Sequence, residues 1–310
     1  FGLFVKNVNV VIGTSPQFFT IISAWALAKC KRVPFVFELR DLWPASISAV
    51  GVINSPLIIY ILEKLEVFLY RQASLIISVT HSFKLELQNK GIPAKKIEVL
   101  PNGVDLAKYK PLLSKDAEFS KRYNLKDKFV AGYIGTHGLA HGLDTIIQTA
   151  ILLKDDNDIR IVFAGGGADR NRLEELVKAD RLQNVVMIQR QPKELMQKLW
   201  SICDVSLVTL KNRSLFSTVI PSKIFESMAM KLPVIISVPE GEATKIIRSK
   251  NCGLIVAPEN PIDLAQAVKK LKEDKALHQA LSANSVLAAQ RYDRKYLANK
   301  MLSFLKDQVT

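Results

Sequence analysis

Short, nearly continuous apolar segments alternate along the chain with longer segments whose apolar residues recur every three to four positions. The short segments are rich in Val, Ile and Leu, which is typical of strands buried on both faces, and the longer ones predict amphipathic helices. This alternation predicts parallel sheets covered by helices. In the first third of the chain the predicted strands are residues 8–12, 33–37, 75–79 and 96–100, and the predicted helices are residues 17–28, 56–71 and 81–90.

The alternation is interrupted once, which divides the chain into two predicted domains. A turn at Leu100-Pro101-Asn102-Gly103-Val104-Asp105 leads into a charged stretch with little periodicity, and a second strand–helix series follows. We predict a partial first domain over residues 1–105, a linker over 106–127, a second domain over 128–290, and a C-terminal helix over 291–310 that packs back on the first domain. Four strands are predicted in the first domain and six in the second. Both read as doubly wound α/β domains, so ligands are expected beyond the carboxyl ends of the strands, first of all in a cleft between the domains.

Composition narrows the class of protein. With 48% apolar and 23% charged residues among 310, the chain has enough apolar surface to fold. Its longest nearly apolar run, residues 18–28, is too short to cross about 30 Å of hydrocarbon. Three widely separated cysteines form neither a disulfide framework nor a metal-ligand spacing, so we expect a cytoplasmic protein without a metal.

The net charge of +14 favours an anionic partner: nucleic acid, an acidic membrane or a phosphorylated small molecule. Basic residues are spread along the whole chain and form no stripe interleaved with aromatic residues. Nucleic acid is therefore not an expected partner.

The segment Pro221-Ser222-Lys223-Ile224-Phe225-Glu226-Ser227-Met228-Ala229 holds the strongest candidate site. Ser222 is a plausible helix N-cap, which would direct unpaired N–H groups toward an anion. Lys223 adds a movable positive charge there, and Glu226, one turn further, is placed to accept hydrogen bonds from a ribose. The alternative is an ordinary capped helix with solvated Lys and Glu.

This segment, with Pro233-Val234-Ile235 after it, resembles the nucleotide-sugar signature of glycosyltransferase family 4. Further matches follow in the family's order. They are Phe37-Glu38-Leu39-Arg40-Asp41-Leu42-Trp43-Pro44, the turn at residues 100–105, Gly132-Tyr133-Ile134-Gly135-Thr136, Phe163-Ala164-Gly165-Gly166-Gly167 and Gly253-Leu254-Ile255-Val256. The set is most similar to the bacterial subgroup that builds O-antigen and colanic acid, including fucosamine transferase-like proteins.

The resemblance implies the GT-B fold, two Rossmann-like domains facing across a cleft, and retaining transfer of a sugar from a nucleoside diphosphate, most often UDP. It implies a donor held mainly by the second domain, no cofactor, and a lipid-linked or oligosaccharide acceptor used in cell-surface polysaccharide synthesis. Glu226 matches the second Glu of the family's Glu-x7-Glu motif, whereas Thr218 stands at the first. The family's Gly-rich acceptor loops have no counterpart here, so we expect an N-terminal segment before Phe1, and the activity of the chain without it stays open.

The family's usual Arg and Lys for the diphosphate are missing from the loop at residues 135–142. A cation is needed where the leaving diphosphate gains charge, so we nominate Lys211, Arg213 and Lys223, of which Lys223 is also a catalytic candidate. The remaining donor-binding candidates are Gly135, Thr136, His137, Gly165, Gly166, Arg190, Ser222 and Glu226. His137 and His141 read more readily as polar loop residues than as metal ligands. The glycine run lacks the dinucleotide fingerprint because Arg170 occupies the third glycine position, and a tight turn is its alternative interpretation.

In the first domain, Glu38, Arg40 and Asp41 are predicted to follow a buried strand. Glu38 and Asp41 are the candidate catalytic residues that orient the acceptor hydroxyl; the alternative is a structural ion pair with Arg40. The apolar helix at residues 56–71 is either buried or docks at an anionic bilayer, which would place the protein peripherally at the inner face of the cell membrane. Two other functions stay open: a nucleotide-sugar epimerase of the same fold, and a non-catalytic fragment that binds nucleotide-sugar.

Overall fold

The structure is a computed structural model that describes residues 2–44 and 55–309. The chain divides into two compact units. Unit 1 comprises Phe1–Asn102 together with Lys295–Thr310, and unit 2 comprises Gly103–Arg294. Each unit is built on one parallel sheet, which confirms the predicted class of two Rossmann-like α/β domains.

Unit 1 contains a four-stranded sheet in the order β1-β2-β3-β4, with every pair parallel. The strands are β1 (Val11–Thr14), β2 (Phe35–Leu39), β3 (Leu75–Ser78) and β4 (Ile97–Val99), and the helices are α1 (Phe18–Lys31), α2 (Pro56–Gln72) and α3 (His81–Asn89). Phe37 of β2 packs on Tyr70 of α2, at 4.8 Å between ring centres, on the face that α1 and α2 cover. Val36 points to the opposite face, where it packs with Leu297 of the C-terminal helix α12 (Arg294–Lys306).

The first two strands begin later than the pattern predicts. Val8 and Val10 are only partly buried and precede β1, while Pro34, which has no N–H, precedes β2 and accepts a hydrogen bond from Val11 through its carbonyl. As a consequence Glu38 lies inside β2, opposite Thr14, and the prediction that it follows the strand is wrong.

Unit 2 contains a six-stranded parallel sheet in the order β10-β9-β8-β5-β6-β7, and six is the number that the pattern predicts. Its strands are β5 (Phe129–Ile134), β6 (Ile159–Ala164), β7 (Val185–Ile188), β8 (Val205–Thr209), β9 (Val234–Ser237) and β10 (Gly253–Val256). Its helices are α4 (Ala117–Arg122), α5 (Asp144–Leu152), α6 (Arg170–Ala179), α7 (Met196–Ser201), α8 (Lys223–Ala229), α9 (Glu242–Lys250), α10 (Pro261–Glu273) and α11 (Lys275–Ala289). Tyr133 of β5 faces one buried cluster and Ile134 faces another, as alternation in a doubly covered strand requires.

The stretch at residues 106–127, predicted as a linker, belongs to unit 2. It contains α4, and Phe119 and Leu125 are buried in the same cluster as Trp200. Lys115 forms an ion pair with Asp204, whose carboxylate also accepts a hydrogen bond from a backbone N–H of β5. Two large side chains and this ion pair therefore fix the stretch to the sheet.

Candidate functional site

The strand order of unit 2 reverses between β5 and β8. Strands β5, β6 and β7 follow one another in one direction, and β8, β9 and β10 in the other. Such a switch point is where open α/β sheets bind ligands, because the two adjoining loops diverge there and leave a crevice. Here the loops are residues 135–143 and 210–222. The Lys211 N–H donates to the Ala140 carbonyl across them at 3.0 Å, and the Thr209 hydroxyl donates to the His141 carbonyl at 2.6 Å.

Lys223, the first residue of α8, points inward at this switch point. Lys223 is 9% exposed, and its Nζ lies 3.4 Å from the centre of the Tyr133 ring. Gly135 lets the side chain pass, since a Cβ there would lie 3.1 Å from Nζ. Nζ has no hydrogen-bond partner among residues 2–44 and 55–309. Burial holds the pKa of Lys223 well below its usual range, with Glu226 opposing that shift.

Two imidazoles surround the same tyrosine. The ring centres of His137 and His141 lie 5.9 and 6.2 Å from that of Tyr133. Neither ring nitrogen of His137, nor Nδ1 of His141, has a hydrogen-bond partner within the described part of the chain. The pKa of each imidazole is lowered to about 4, mainly by burial, and Lys223 acts in the same direction.

We call His137, His141 and Lys223 the nitrogen cluster. A buried polar group that lacks a partner costs about 1–3 kcal/mol, so a ligand that supplies acceptors is favoured there. Nitrogen donors and cations suit oxyanions, phosphate above all. The sequence alone predicts His141 only as a polar loop residue, although it stands near the position where the family's pattern has a lysine.

The glycine-rich loop after β6 packs tightly on the loop after β5. The His137 N–H donates to the Gly166 carbonyl at 2.8 Å, and a Cβ on Gly165 would lie 2.0 Å from the Gly135 carbonyl oxygen. Arg170, 7% exposed, donates to the carbonyl oxygens of Gly165 at 2.6 Å and Ile188 at 2.9 Å. The residue that breaks the dinucleotide fingerprint therefore fixes this loop.

Glu226 lies one turn along α8 from Lys223. Its carboxylate accepts a hydrogen bond from the Trp200 indole at 3.2 Å and another from the Tyr109 hydroxyl. Burial raises the pKa of Glu226. Ser222 occupies the N-cap position of α8, as predicted, but it is exposed, lies in helical conformation and makes no side-chain capping hydrogen bond.

The other predicted donor contacts lie in loops that follow strands of the same sheet, and none of them is a member of the nitrogen cluster. Thr136 is exposed, and its carbonyl accepts the Tyr133 hydroxyl at 2.7 Å. Lys211 is half-buried and helps Arg172 to lower the pKa of Asp169. Arg190 and Arg213 are exposed in the loops after β7 and β8. The structure thus brings together Gly135, His137, Gly165, Gly166 and Lys223.

In unit 1 the residues predicted to orient the hydroxyl of the sugar acceptor make polar contacts with their neighbours. Glu38 accepts a hydrogen bond from the Thr14 hydroxyl at 2.6 Å. The Ser15 hydroxyl accepts from the backbone N–H groups of Arg40 and Asp41, at 2.8 and 3.1 Å. The Arg40 guanidinium donates to the Asn102 side chain at 2.9 Å. Glu38 therefore has a hydroxyl partner, while Arg40 reaches across the strand ends to the predicted turn.

Within residues 2–44 and 55–309, no three or more His, Cys, Asp or Glu side chains lie together so as to hold a metal ion. The site described above is made of nitrogen donors, whereas hard cations prefer oxygen ligands.

Comparison with known families identifies the class of protein. Residues 114–288 match the family model of glycosyl transferases group 1, and residues 5–108 match that of Glycosyltransferase Family 4. The first match covers more than half of the chain. This protein belongs to the glycosyl transferases group 1 family.

Individual relatives agree with that assignment. The chain is 25% identical to the probable glycosyltransferase WbjE of Pseudomonas aeruginosa, over 85% of this chain and 66% of the relative. It is 27% identical to the N-acetylgalactosamine-N,N'-diacetylbacillosaminyl-diphospho-undecaprenol 4-alpha-N-acetylgalactosaminyltransferase of Campylobacter jejuni, over 76% of this chain and 61% of the relative. The chain thus spans about two thirds of the length of these relatives or less.

Among solved structures, the fold is similar to that of Alr3699/HepE from Anabaena, crystallised in complex with UDP. The TM-score is 0.80 at 18% identity, over 96% of this chain and 79% of that chain. At this identity the likeness establishes the fold, GT-B.

Proposed function

We propose that this chain transfers a sugar, with retention of anomeric configuration, from a nucleoside diphosphate donor to a lipid-linked or polysaccharide acceptor in bacterial cell-surface glycan synthesis. The nitrogen cluster at the switch point of unit 2 carries the proposal, because it offers buried cationic and N–H groups where a diphosphate would bind. UDP is the expected carrier, since the Anabaena protein of the same fold was crystallised with UDP. A lipid-linked acceptor is supported by the Campylobacter relative, whose name contains diphospho-undecaprenol.

In this proposal the nitrogen cluster binds the donor diphosphate. Lys223 exchanges the Tyr133 ring for phosphate oxygens, and His137 and His141 donate N–H groups from the loop after β5. Negative charge grows on the diphosphate as its bond to the sugar breaks, and fixed donors at that position lower the barrier. The family's usual Arg and Lys are thereby replaced by a lysine from α8 and two histidines.

Glu226 is proposed to bind the ribose. Its position one turn after Lys223 separates the two side chains by about 5–6 Å along the helix, which suits a ribose beside a diphosphate. Trp200 and Tyr109 hold the carboxylate in place from the protein side. A carboxylate can accept about four hydrogen bonds, so lone pairs remain for ribose hydroxyls beside the bonds from Trp200 and Tyr109.

Retention follows if the departing diphosphate takes the proton of the acceptor hydroxyl on the face from which it leaves. Glu38 and Asp41 of unit 1 are the proposed groups that orient that hydroxyl. The chemistry then depends on positioning and electrostatics, which together supply a large share of the rate in enzymes of this kind. The proposal includes no resident metal, because Lys223 supplies positive charge to the diphosphate and the neutral histidines donate hydrogen bonds to it.

A thermal-shift titration with UDP, GDP, ADP and pyrophosphate tests the proposed binding of the donor. A nucleotide at about 100 times its Kd stabilises the folded state by roughly 2.7 kcal/mol, which such a titration resolves. We expect UDP to stabilise the folded state the most. If none of the four ligands stabilises it, the proposal is refuted. NMR of the product formed from UDP-sugar and a polyprenyl diphosphate-linked acceptor then reports the anomeric configuration. Release of an epimerised sugar without acceptor would instead indicate an epimerase.

A further inference from the structure

The side chain of Arg40 reaches across the carboxyl edge of the unit 1 sheet. Arg40 directly follows β2, and its guanidinium donates to the side chain of Asn102, which lies just beyond the end of β4, at 2.9 Å. Strand β3 lies between β2 and β4, and two strand spacings amount to about 10 Å. The guanidinium is therefore held beyond the end of β3, on the edge where open α/β sheets bind their ligands.

The backbone of Arg40 is fixed from the side of β1. Ser15, which follows β1, is 3% exposed. Its hydroxyl accepts from the N–H groups of Arg40 and Asp41, at 2.8 and 3.1 Å, and donates to the Asp41 carbonyl at 3.2 Å. A hydroxyl has one hydrogen and two lone pairs, so its bonding capacity is used completely. Leu39 and Leu42 on either side are buried, so the turn that carries Arg40 is held before any ligand arrives.

Arg40 has no carboxylate partner in the described part of the chain. The sequence left open a structural ion pair at this turn, but no ion pair within residues 2–44 and 55–309 includes Arg40. Arg172 and Arg248, by contrast, each donate at least two hydrogen bonds to carboxylates. A guanidinium carries five N–H groups, and Asn102 is the only described residue that accepts from Arg40. The others are available to an oxyanion.

Positive and negative charge lie on different sides of this edge. Glu38 stands opposite Thr14 of β1 in the strand register and accepts its hydroxyl at 2.6 Å. The Arg40 guanidinium extends the other way, toward the loop after β4. The edge is therefore polarised, with a carboxylate on the β1 side and a cation on the β4 side. A ligand with a hydroxyl at one end and an anionic group at the other matches that arrangement.

We propose that Arg40 binds a phosphate group of the acceptor, while Glu38 and Asp41 orient the acceptor's sugar hydroxyl. This inference rests on the proposed function, from which it takes the class of acceptor, a glycan linked to lipid through phosphate. A planar guanidinium offers parallel N–H groups to two phosphate oxygens. Because Asn102 and Ser15 already hold Arg40, little conformational freedom is lost when the phosphate binds. No described helix, in residues 2–44 or 55–309, is both long and apolar enough to cross a bilayer.

Isothermal titration calorimetry of the full chain with geranyl diphosphate tests the role of Arg40. Saturating UDP is present, so that the nitrogen cluster is occupied. We expect geranyl diphosphate to bind the wild type, and Arg40→Gln to raise its Kd by about 10- to 100-fold, because a charge-assisted hydrogen bond is lost. Arg40→Lys should restore binding only in part, since an ammonium group cannot form the two parallel bonds. Arg71→Gln, an exposed arginine in the last turn of α2, is the matched control and should bind as the wild type does.

Two further ligands identify the group that is recognised. Geraniol should bind far more weakly than geranyl diphosphate, and equal binding would mean that the hydrocarbon, not the phosphate, is bound. Glucuronate that binds the wild type at least as tightly as geranyl diphosphate would assign Arg40 to a sugar carboxylate instead. Either result, or equal affinity of wild type and Arg40→Gln for geranyl diphosphate, would overturn the proposal.

The Kd of UDP should be the same in the wild type and in all variants of Arg40. If UDP does not bind, the proposed donor site fails, and the comparison of Arg40→Gln with the wild type still tests Arg40. If UDP binds and geranyl diphosphate does not, only the role of Arg40 is refuted. The two proposals therefore fail separately.

Discussion

The ammonium group of Lys223 lies 3.4 Å from the centre of the Tyr133 ring, buried below Gly135. A cation over an aromatic face is stabilised by about 2 kcal/mol when desolvated, which offsets part of the cost of burying it. The tyrosine hydroxyl donates to the Thr136 carbonyl, while Lys223 Nζ lies over the ring and makes no hydrogen bond within the described part of the chain. The lysine is thus kept inside unit 2 by a weak partner that a stronger anionic one can replace.

Removing the Lys223 amine should weaken the binding of the donor's diphosphate. For Lys223→Met we expect the Kd of both UDP and pyrophosphate to rise by about 10- to 100-fold, because a charge-assisted hydrogen bond is lost. Isothermal titration calorimetry measures both constants. Lys270→Met, an exposed lysine of α10, is the control and should bind both ligands as the wild type does. Equal affinities in wild type and Lys223→Met would remove Lys223 from the site.

The same variant should change how stability depends on pH. The pKa of Lys223 in the folded chain lies below its ordinary value of 10.5, so between those two values the unfolded chain binds more protons. The contribution of Lys223 to the free energy of unfolding therefore rises with pH up to about 10.5 and falls as pH decreases. In denaturant unfolding at several pH values, the free energy of unfolding of wild type should increase relative to that of Lys223→Met as pH rises. A constant difference would contradict the burial of the amine.

His137 should make unit 2 sensitive to acid. Its pKa is about 4 in the folded chain against an ordinary 6.5, so the unfolded chain takes up the proton first. Stability is complete above pH 6.5 and falls by about 3 kcal/mol as pH drops through this window to 4. His137→Phe keeps an aromatic ring beside Phe163 without a titrating group. Its free energy of unfolding should fall less than that of wild type between pH 6.5 and 4, and parallel curves would count against the assignment.

Glu226 should matter for the nucleoside and not for the phosphates. In Glu226→Gln we expect weaker UDP binding, by roughly tenfold, and an unchanged Kd for pyrophosphate, since a hydrogen bond between a carboxylate and a hydroxyl contributes about 1.5–3 kcal/mol. Calorimetry with the two ligands distinguishes this carboxylate from Lys223. A variant that weakened both ligands equally would mean that Glu226 acts by holding α8 in place.

Two neighbouring glycines give a matched pair for the loop after β6. Gly165 has φ +139°, and an added Cβ would lie 2.0 Å from the Gly135 carbonyl oxygen, so Gly165→Ala should destabilise the fold by about 3 kcal/mol or more. Gly166 has open space at its Cβ position, and Gly166→Ala should change stability by less than about 1 kcal/mol. Thermal unfolding compares the two. Similar melting temperatures would show that the two loops do not pack as described.

The sequence was sufficient for the element order because buried parallel strands and amphipathic helices differ in period. It predicted α2 and α3 to within one residue and the strand count of each sheet. It placed β1 and β2 too early, since Val8, Val10 and Val33 continue the apolar pattern outside the strands. Pattern alone does not reveal where hydrogen bonding to a neighbouring strand begins.

The site was predictable only in part. The spacing of Lys223 and Glu226 on one helix is local, so the sequence contains it. Whether Lys223 points to solvent or inward depends on Tyr133, ninety positions earlier, and on the missing Cβ of Gly135. Likewise α2 is apolar on nearly every side, so no periodicity separates its buried half from its exposed one. The family resemblance is confirmed at the level of glycosyl transferases group 1, while the individual site residues stay predictions.

Lys223 and Glu226 share a single helix that follows a thirteen-residue connection, residues 210–222, whose only regular part is a 3-10 helix at Ser214–Ser217. Insertions or deletions in that connection leave the distance between amine and carboxylate unchanged. If the pair binds the carrier as proposed, the surface beside it can change through that connection while the spacing of the two carrier-binding groups stays the same.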